Sequence, residues 1–208
     1  RVCPVVRPDE FNLGLSSRKA IYSPFPQAVP SAYVLNANEC LGHNPVVCGK
    51  CLEACEKHCI DFYMSDQQIE EKVGSIVVAT GLETYDPKEN DEYGYTRFEN
   101  VLTSLEFERL INSSGPTTGK VTLKNGQPPK SVAVLHCIGS RDKKYNEYCS
   151  RACCMYSLKL SQLVHEYVGA EVYEIYRDMR SFGKGYEEFY NRTEKMGVNF
   201  YHGLVKGI

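Results

Sequence analysis

The chain has no tryptophan, and neither sign of charge dominates it. Twenty-four Lys and Arg stand against 26 Asp and Glu, a formal net charge of −2. A nucleic-acid-binding surface needs a basic excess, so no nucleic-acid partner is expected. Long hydrophobic runs are missing too. The longest, Ser75–Ala79 and Val132–Leu135, fall far short of the roughly 18–20 apolar residues that cross a bilayer, and no membrane span is expected. The first residue is Arg1, with neither a Met nor the charged and apolar regions of a signal peptide, which predicts an interior or processed piece of a longer polypeptide. What the chain does have is cysteine, ten in 208 residues.

The cysteines fall in two groups. The first is Cys3, Cys40, Cys48, Cys51, Cys55 and Cys59. An even count would suit a disulfide framework, but Cys48-x2-Cys51-x3-Cys55 crowds three thiols into eight residues, and secreted disulfide scaffolds are usually much smaller than this chain. Zinc is the stronger rival, yet a four-cysteine zinc site usually has two C-x2-C knuckles and only Cys48 and Cys51 make one here. Bacterial ferredoxins use C-x2-C-x2-C-x3-C-P, in which the fourth Cys ligates the other cluster. Cys40-x7-Cys48-x2-Cys51-x3-Cys55 is that pattern with an insertion after its first ligand. If Cys3-Pro4 ends a truncated first motif, Cys3 crosses over to join Cys40, Cys48 and Cys51 on one cluster. Cys55 then belongs to a first cluster whose other ligands lie upstream. Cys55 is followed by Glu56 rather than Pro, and Cys59 is a spare thiol that could exchange with it. Thiols used for metal in this way suit a reducing, cytoplasmic compartment.

The second group is Cys137, Cys149, Cys153 and Cys154. Adjacent cysteines cannot both face one metal from mid-helix, because neighbours differ by about 100°. They can from a loop or a first helical turn. Tyr156, Leu160, Leu163, Val164 and Tyr167 recur at helical spacing, so a helix is expected to begin around Cys153–Met155, where its dipole and free N–H groups favour an anionic cluster. The competing reading is a pair of small buried thiols in a core helix. His43, His58 and His136 lie beside cysteines, but a lone His is more often packed than ligating. The fifteen tyrosines read as packing, and Arg177 and Arg180 as surface ion pairs.

The scaffold reads as α/β. Val73–Thr80 suits a buried strand with an exit at Gly81. Thr103-Ser-Leu-Glu106 is a capping-box helix start, ended by Gly115-Pro116. Residues 117–130 are polar and turn-rich, with a hairpin signal at Asn125-Gly126, and mark a boundary. Strand 131–135, helix 155–168, strand 171–176, helix 185–196 and strand 198–201 then alternate, which argues for a doubly wound parallel sheet of Rossmann type. Such a unit would bind a dinucleotide through G-x-G-x-x-G after its first strand. Here the turn is His136-Cys-Ile-Gly-Ser-Arg141, so a nicotinamide site is not expected.

Several motifs carry a resemblance. Cys137-Ile-Gly-Ser-Arg-Asp142, Tyr148-Cys-Ser-Arg-Ala-Cys-Cys-Met-Tyr-Ser-Leu-Lys159 and Phe182-Gly-Lys-Gly-Tyr-Glu-Glu-Phe-Tyr190 resemble the A subunit of heterodisulfide reductase, as do Arg18-Lys-Ala-Ile-Tyr and Pro24-Phe-Pro-Gln-Ala-Val-Pro30. The resemblance runs nearly end to end. It implies a thioredoxin-reductase-like flavoprotein carrying an inserted bacterial-type ferredoxin module. On that basis residues 1–70 are a two-cluster ferredoxin module with a linker at 18–36, residues 71–116 end a flavin-binding domain, and residues 131–208 are a Rossmann-like second domain. FAD would be shared between upstream residues and Thr80-Gly81, which is similar to that fold's ATG motif. Cys137, Cys149, Cys153 and Cys154 would hold an unusually ligated [4Fe–4S] cluster near the flavin. Lys159, one turn after Cys154, would tune the flavin, with a solvated lysine as the competing reading. The implied function is that of an iron-sulfur flavoprotein in an anaerobic oxidoreductase, which passes or bifurcates electrons between FAD and [4Fe–4S] clusters. It would assemble with other subunits as a homodimer of heteromers, in the cytoplasm or peripheral to a membrane complex. The alternatives are a nicotinamide-dependent flavin reductase of the same fold and a non-catalytic zinc or structural scaffold.

Overall fold

The computed structural model describes residues 2–42 and 45–208, and two compact units divide at Leu82/Glu83. Short β-ladders and loops make up the first unit. Strand β1 (Arg7–Pro8) pairs antiparallel with β2 (Ser17–Arg18), and β3 (Ile21–Tyr22) with β4 (Val34–Leu35). A single helical turn, α1 (Lys50–Glu53), follows Gly49, whose φ of 64° sets the entry. Val5 and Ala20 are its buried apolar residues among those described. So little apolar burial leaves this unit short of the core that normally holds a domain together.

Residues 73–82 form no strand. Ile76, Val77, Val78 and Leu82 are each exposed. The expectation of a buried strand rested on composition, but a β-branched run becomes a strand only when a neighbour supplies its ladder, and no strand pairs with it among the described residues.

The second unit is built on three parallel strands, β5 (Ser131–Leu135), β6 (Glu171–Tyr176) and β7 (Asn199–His202), in sequence order. Helix α2 (Ser104–Ile111) precedes them. Between them run α3 (Cys153–Leu163), prolonged by a π turn over Val164–Val168, and α4 (Tyr186–Lys195). Both crossovers advance the same way, and because crossovers are right-handed both helices fall on one face, where they pack on each other. A doubly wound sheet also needs a strand on the far side of β5 with a helix on the opposite face. The described residues supply neither, and the architecture is mixed α/β with a parallel sheet. No helix of the described residues is long and apolar enough to cross a membrane.

Helix α2 opens on the expected capping box: the Glu106 N–H donates to Thr103 Oγ1 (3.2 Å) and the Thr103 N–H donates to Glu106 Oε2 (2.7 Å). Its Phe107 joins the core of Val164, Ala170, Val172 and Val198. The hairpin signal at Asn125-Gly126 gives a closed turn, Leu123 N–H to Gln127 O at 2.8 Å, but no strands flank it.

The inward face of α3 departs from the expected stripe. Tyr156 and Tyr167 are exposed, and the buried positions are Cys153, Cys154, Ser157, Leu158, Leu160 and Ser161. Apolar periodicity missed this face because two of its members are serines. Ser161 is there to serve a carboxylate.

Candidate metal centres

In the first unit Arg18 is the organising side chain. It is buried, its Nε donates to Glu10 Oε2 (2.5 Å), its NH1 donates to Glu39 Oε2 (2.6 Å), and its guanidinium lies 4.1 Å from the Tyr22 ring centroid. The Arg18 cation holds the Glu10 carboxyl down at about 2. Glu39 immediately precedes Cys40, so this clamp fixes the start of the cysteine loop. The Cys40 N–H then donates to Asn36 O (3.1 Å). Cys48 precedes α1 and Cys51 lies in it.

Cys3, Cys40, Cys48 and Cys51 line one small cavity, backed by Val5 and Ala20. Burial pushes the Cys51 thiol up, and Cys40 and Cys3 add to the effect. Cys55 and Cys59 stand elsewhere, their sulfurs 3.6 Å apart. Backbone N–H groups and the mutual hydrogen bond lower Cys55, and the same mutual bond raises Cys59. His58 is exposed, and His43 lies outside the described residues.

The second centre sits where β5 ends and α3 begins. The turn after β5 is left-handed at Cys137 (φ 62°), Gly139 (φ 66°) and Arg141 (φ 60°). A left-handed Cys is strained, and surrounding structure must hold it. Tyr85 does part of this: a Cβ on Gly139 would run into its ring, so only glycine admits the contact. The thiols of Cys137 and Cys154 interact with Cys153, which depresses Cys153 and raises the other two. The trio sits at the N-terminus of an eleven-residue helix, a position that favours negative charge on sulfur.

Neighbouring groups add donors and positive charge. Arg141 is near Cys137 and paired with Asp178 (NH1 to Oδ2, 2.8 Å), and the Arg180 N–H donates to Cys154 Sγ (3.4 Å). Arg180 Nε also pairs with Asp178 (3.1 Å), the ion pair expected there. Cys149 is engaged differently, its Sγ accepting the Arg151 N–H (3.4 Å). Lys159 is exposed, as are Thr80 and Gly81.

Sequence reading missed the polar network beneath this centre. His136 continues the inward alternation of Val132 and Val134, and Glu174, which registers beside Val134, is fully buried. His136 Nε2 meets Glu174 Oε2, and Ser161 Oγ donates to Glu174 Oε1 (2.5 Å). The signal was available: Val172, Glu174 and Tyr176 share a strand face, and a carboxylate between two inward residues requires buried partners.

Among the described residues, no three His, Cys, Asp or Glu side chains are close enough to share a single metal ion. A four-iron cube asks for something else, since thiolates bind its outer corners and stand further apart than ligands of one ion. The cavity lined by four cysteines fits that requirement, whereas the mutually hydrogen-bonded trio at the start of α3 stands closer together than it asks.

No protein-family model matches the chain. Curated relatives do. The chain is 47% identical over 206 residues to the A subunit of the H(2):CoB-CoM heterodisulfide,ferredoxin reductase of Methanothermobacter marburgensis, covering 97% of this chain and 30% of that protein. The resemblance to the A subunit of heterodisulfide reductase is real. Against the second iron-sulfur A subunit of the CoB–CoM heterodisulfide reductase of Methanopyrus kandleri identity is 49%, and against the iron-sulfur A subunit of Methanocaldococcus jannaschii it is 46%, each over 97% of this chain and 31% of the relative. This chain thus spans about 30% of the length of these relatives, consistent with a piece of such a protein.

Proposed function

We propose that this chain is the cluster-bearing portion of an oxidoreductase of heterodisulfide-reductase type, relaying single electrons through [4Fe–4S] clusters. The observation that carries the reading is the cavity lined by Cys3, Cys40, Cys48 and Cys51. Thiolates at that spacing suit iron, and the crossover of Cys3 is the connectivity that two-cluster ferredoxins use. The iron-sulfur subunits among the relatives support it. Bound there, a cluster would supply one-electron transfer. The protein's own part is to hold four thiolates, exclude water with Val5 and Ala20, and anchor the loop through Arg18 and Glu39.

Cys55 is assigned to a different cluster, with Cys59 as its neighbour. Cys137, Cys149, Cys153 and Cys154 are assigned to an additional [4Fe–4S] cluster. In its favour, the Arg141 cation lies near Cys137 and the Arg180 N–H donates to Cys154 Sγ, so donors face these sulfurs at the start of α3. Cys149 would be the fourth ligand, its Sγ accepting the Arg151 N–H. The partners are the remaining subunits of such a complex, arranged as a homodimer of heteromers, in the cytoplasm.

The flavin half of the reading rests on the resemblance alone. Thr80 and Gly81 lie on exposed chain and enclose nothing by themselves, so they support no flavin step, and exposed Lys159 supports no role in one.

Iron, zinc and acid-labile sulfide analysis of the anaerobically purified native protein, with visible absorption and EPR, tests the proposal. Cys51→Ala should remove one cluster's signal and Cys153→Ala a different one. Stoichiometric zinc without sulfide would replace the proposal with a structural scaffold. Rapid NADH or NADPH oxidation with binding at the 135–141 turn would replace it with a nicotinamide reductase.

A further inference from the structure

Cys59 belongs to neither cysteine centre, yet it does not stand by itself. Its Sγ lies 3.6 Å from Cys55 Sγ, and neither residue lines the cavity of Cys3, Cys40, Cys48 and Cys51. The turn between the two sets this contact up. The His58 N–H donates to Cys55 O (3.0 Å), and left-handed His58 (φ 49°) turns the chain so that Cys59 comes back beside Cys55. Cys59 is exposed and Cys55 half-buried.

Two thiols in contact have a chemistry that a single thiol lacks. An exposed thiol oxidised by a peroxide becomes a sulfenic acid, which either climbs to irreversible acids or is captured by a second thiol as a disulfide. Capture needs the second sulfur at hand. Here the sulfurs have only to close from 3.6 Å to the roughly 2.05 Å of an S–S bond, an approach of about 1.5 Å at the tips of two side chains. Access decides the order of events. Cys59 is the member open to an oxidant in solution, and Cys55 is the member placed to resolve it.

We infer that Cys55 and Cys59 form a peroxide-responsive thiol switch. The Cys59 sulfur attacks one oxygen of hydrogen peroxide, the O–O bond breaks, and the other oxygen leaves as water with the thiol proton, which gives the sulfenic acid. The Cys55 sulfur then attacks the Cys59 sulfur, the S–O bond breaks, and a second water leaves with the Cys55 proton. Two thiols and one hydrogen peroxide thus give one disulfide and two waters, with two electrons passing from sulfur to oxygen. A thiol reductant reverses the closure by exchange. The closed form also withholds Cys55 from iron. That consequence alone rests on the assignment of Cys55 to a cluster.

The test exposes the anaerobically purified native protein to one equivalent of hydrogen peroxide, blocks the remaining thiols and maps the cysteines by mass spectrometry, with iron analysis and EPR on the same sample. A peptide linked between Cys55 and Cys59, two hydrogens lighter than the dithiol and restored by dithiothreitol, is expected. Cys55→Ser should leave the sulfenic acid on Cys59 uncaptured, so that dimedone labels it there and not in the parent. One cluster signal, distinct from those that Cys51→Ala and Cys153→Ala remove, should fall as the disulfide forms and persist in Cys59→Ser at the same dose. Should Cys55→Ser fail to assemble, the map of the parent protein decides alone. A pair left reduced overturns the inference, as does a sulfinic acid or dimedone adduct on Cys59 of the parent without the linked peptide. A linked peptide formed with no loss of iron keeps the switch and overturns the assignment of Cys55 to a cluster, a separate failure.

Discussion

The two cysteine centres are built in opposite ways. Around Cys3, Cys40, Cys48 and Cys51 the chain offers two-residue ladders, one helical turn and an arginine clamp, with Val5 and Ala20 the described buried apolar residues. Around Cys137, Cys153 and Cys154 it offers a three-stranded parallel sheet, an eleven-residue helix and a closed apolar cluster. The first centre sits among short ladders and loops with little apolar core behind it. The second sits on a three-stranded sheet with an apolar cluster packed against it. Cysteine count conveys none of this; the secondary structure between the cysteines does.

The largest expected effect breaks the comparison most directly. Removing iron from the native protein should abolish amide-exchange protection in residues 2–82 while leaving β5, β6 and β7 protected, because binding free energy in a small metal module is folding free energy. Equal loss in both units would mean that the second is no more self-supporting than the first. Next is Glu174→Ala, which strands His136 in a dry interior. Breaking a buried pair of this kind costs about 3–5 kcal/mol, read as a lower denaturation midpoint of the second unit alone. Leu158→Ala, at a fully buried position of α3, should cost about 2–5 kcal/mol in the same assay.

Thr103→Ala should cost about 1 kcal/mol through loss of the α2 cap, and Thr103→Ser should restore most of it. The smallest effect concerns pH. Glu10 is held at about 2 by Arg18, below the ordinary carboxylate range. Its contribution is therefore fully present above that range and fades as pH falls through it toward about 2. Acid titration of the first unit should show this step, and Glu10→Gln should remove it. Persistence of the step in Glu10→Gln would assign it to another carboxylate.

What was legible in the sequence followed local rules. Thr103 and Glu106 spell a cap whose partners are three residues apart, and the alternation of apolar runs gives the three parallel strands. The grouping of Cys3 with three distant cysteines came from a spacing pattern, and the same four line one cavity. What was not legible depends on neighbours. Val73–Thr80 has strand composition but lacks a pairing strand. Tyr156 and Tyr167 fit a helical stripe, yet the buried face runs through Ser157 and Ser161, because a carboxylate on β6 needed a donor. The left-handed turn at Cys137 has no local signature, since Cys ordinarily avoids that conformation. His136 looked like one more packed histidine until Glu174 was placed beside it.

The exposed stretch from Ser75 to Ala79 has a consequence for handling. It is short, rich in β-branched residues, uncharged and free of proline, the composition that stacks identical chains edge to edge into cross-β fibrils. Glu70, Glu71 and Lys72 on one side and Glu83 on the other act as charged gatekeepers, but they flank the run without interrupting it. Solutions of the isolated polypeptide should therefore turn turbid and bind amyloid dyes above a critical concentration. Replacing Val77 with lysine should keep them clear.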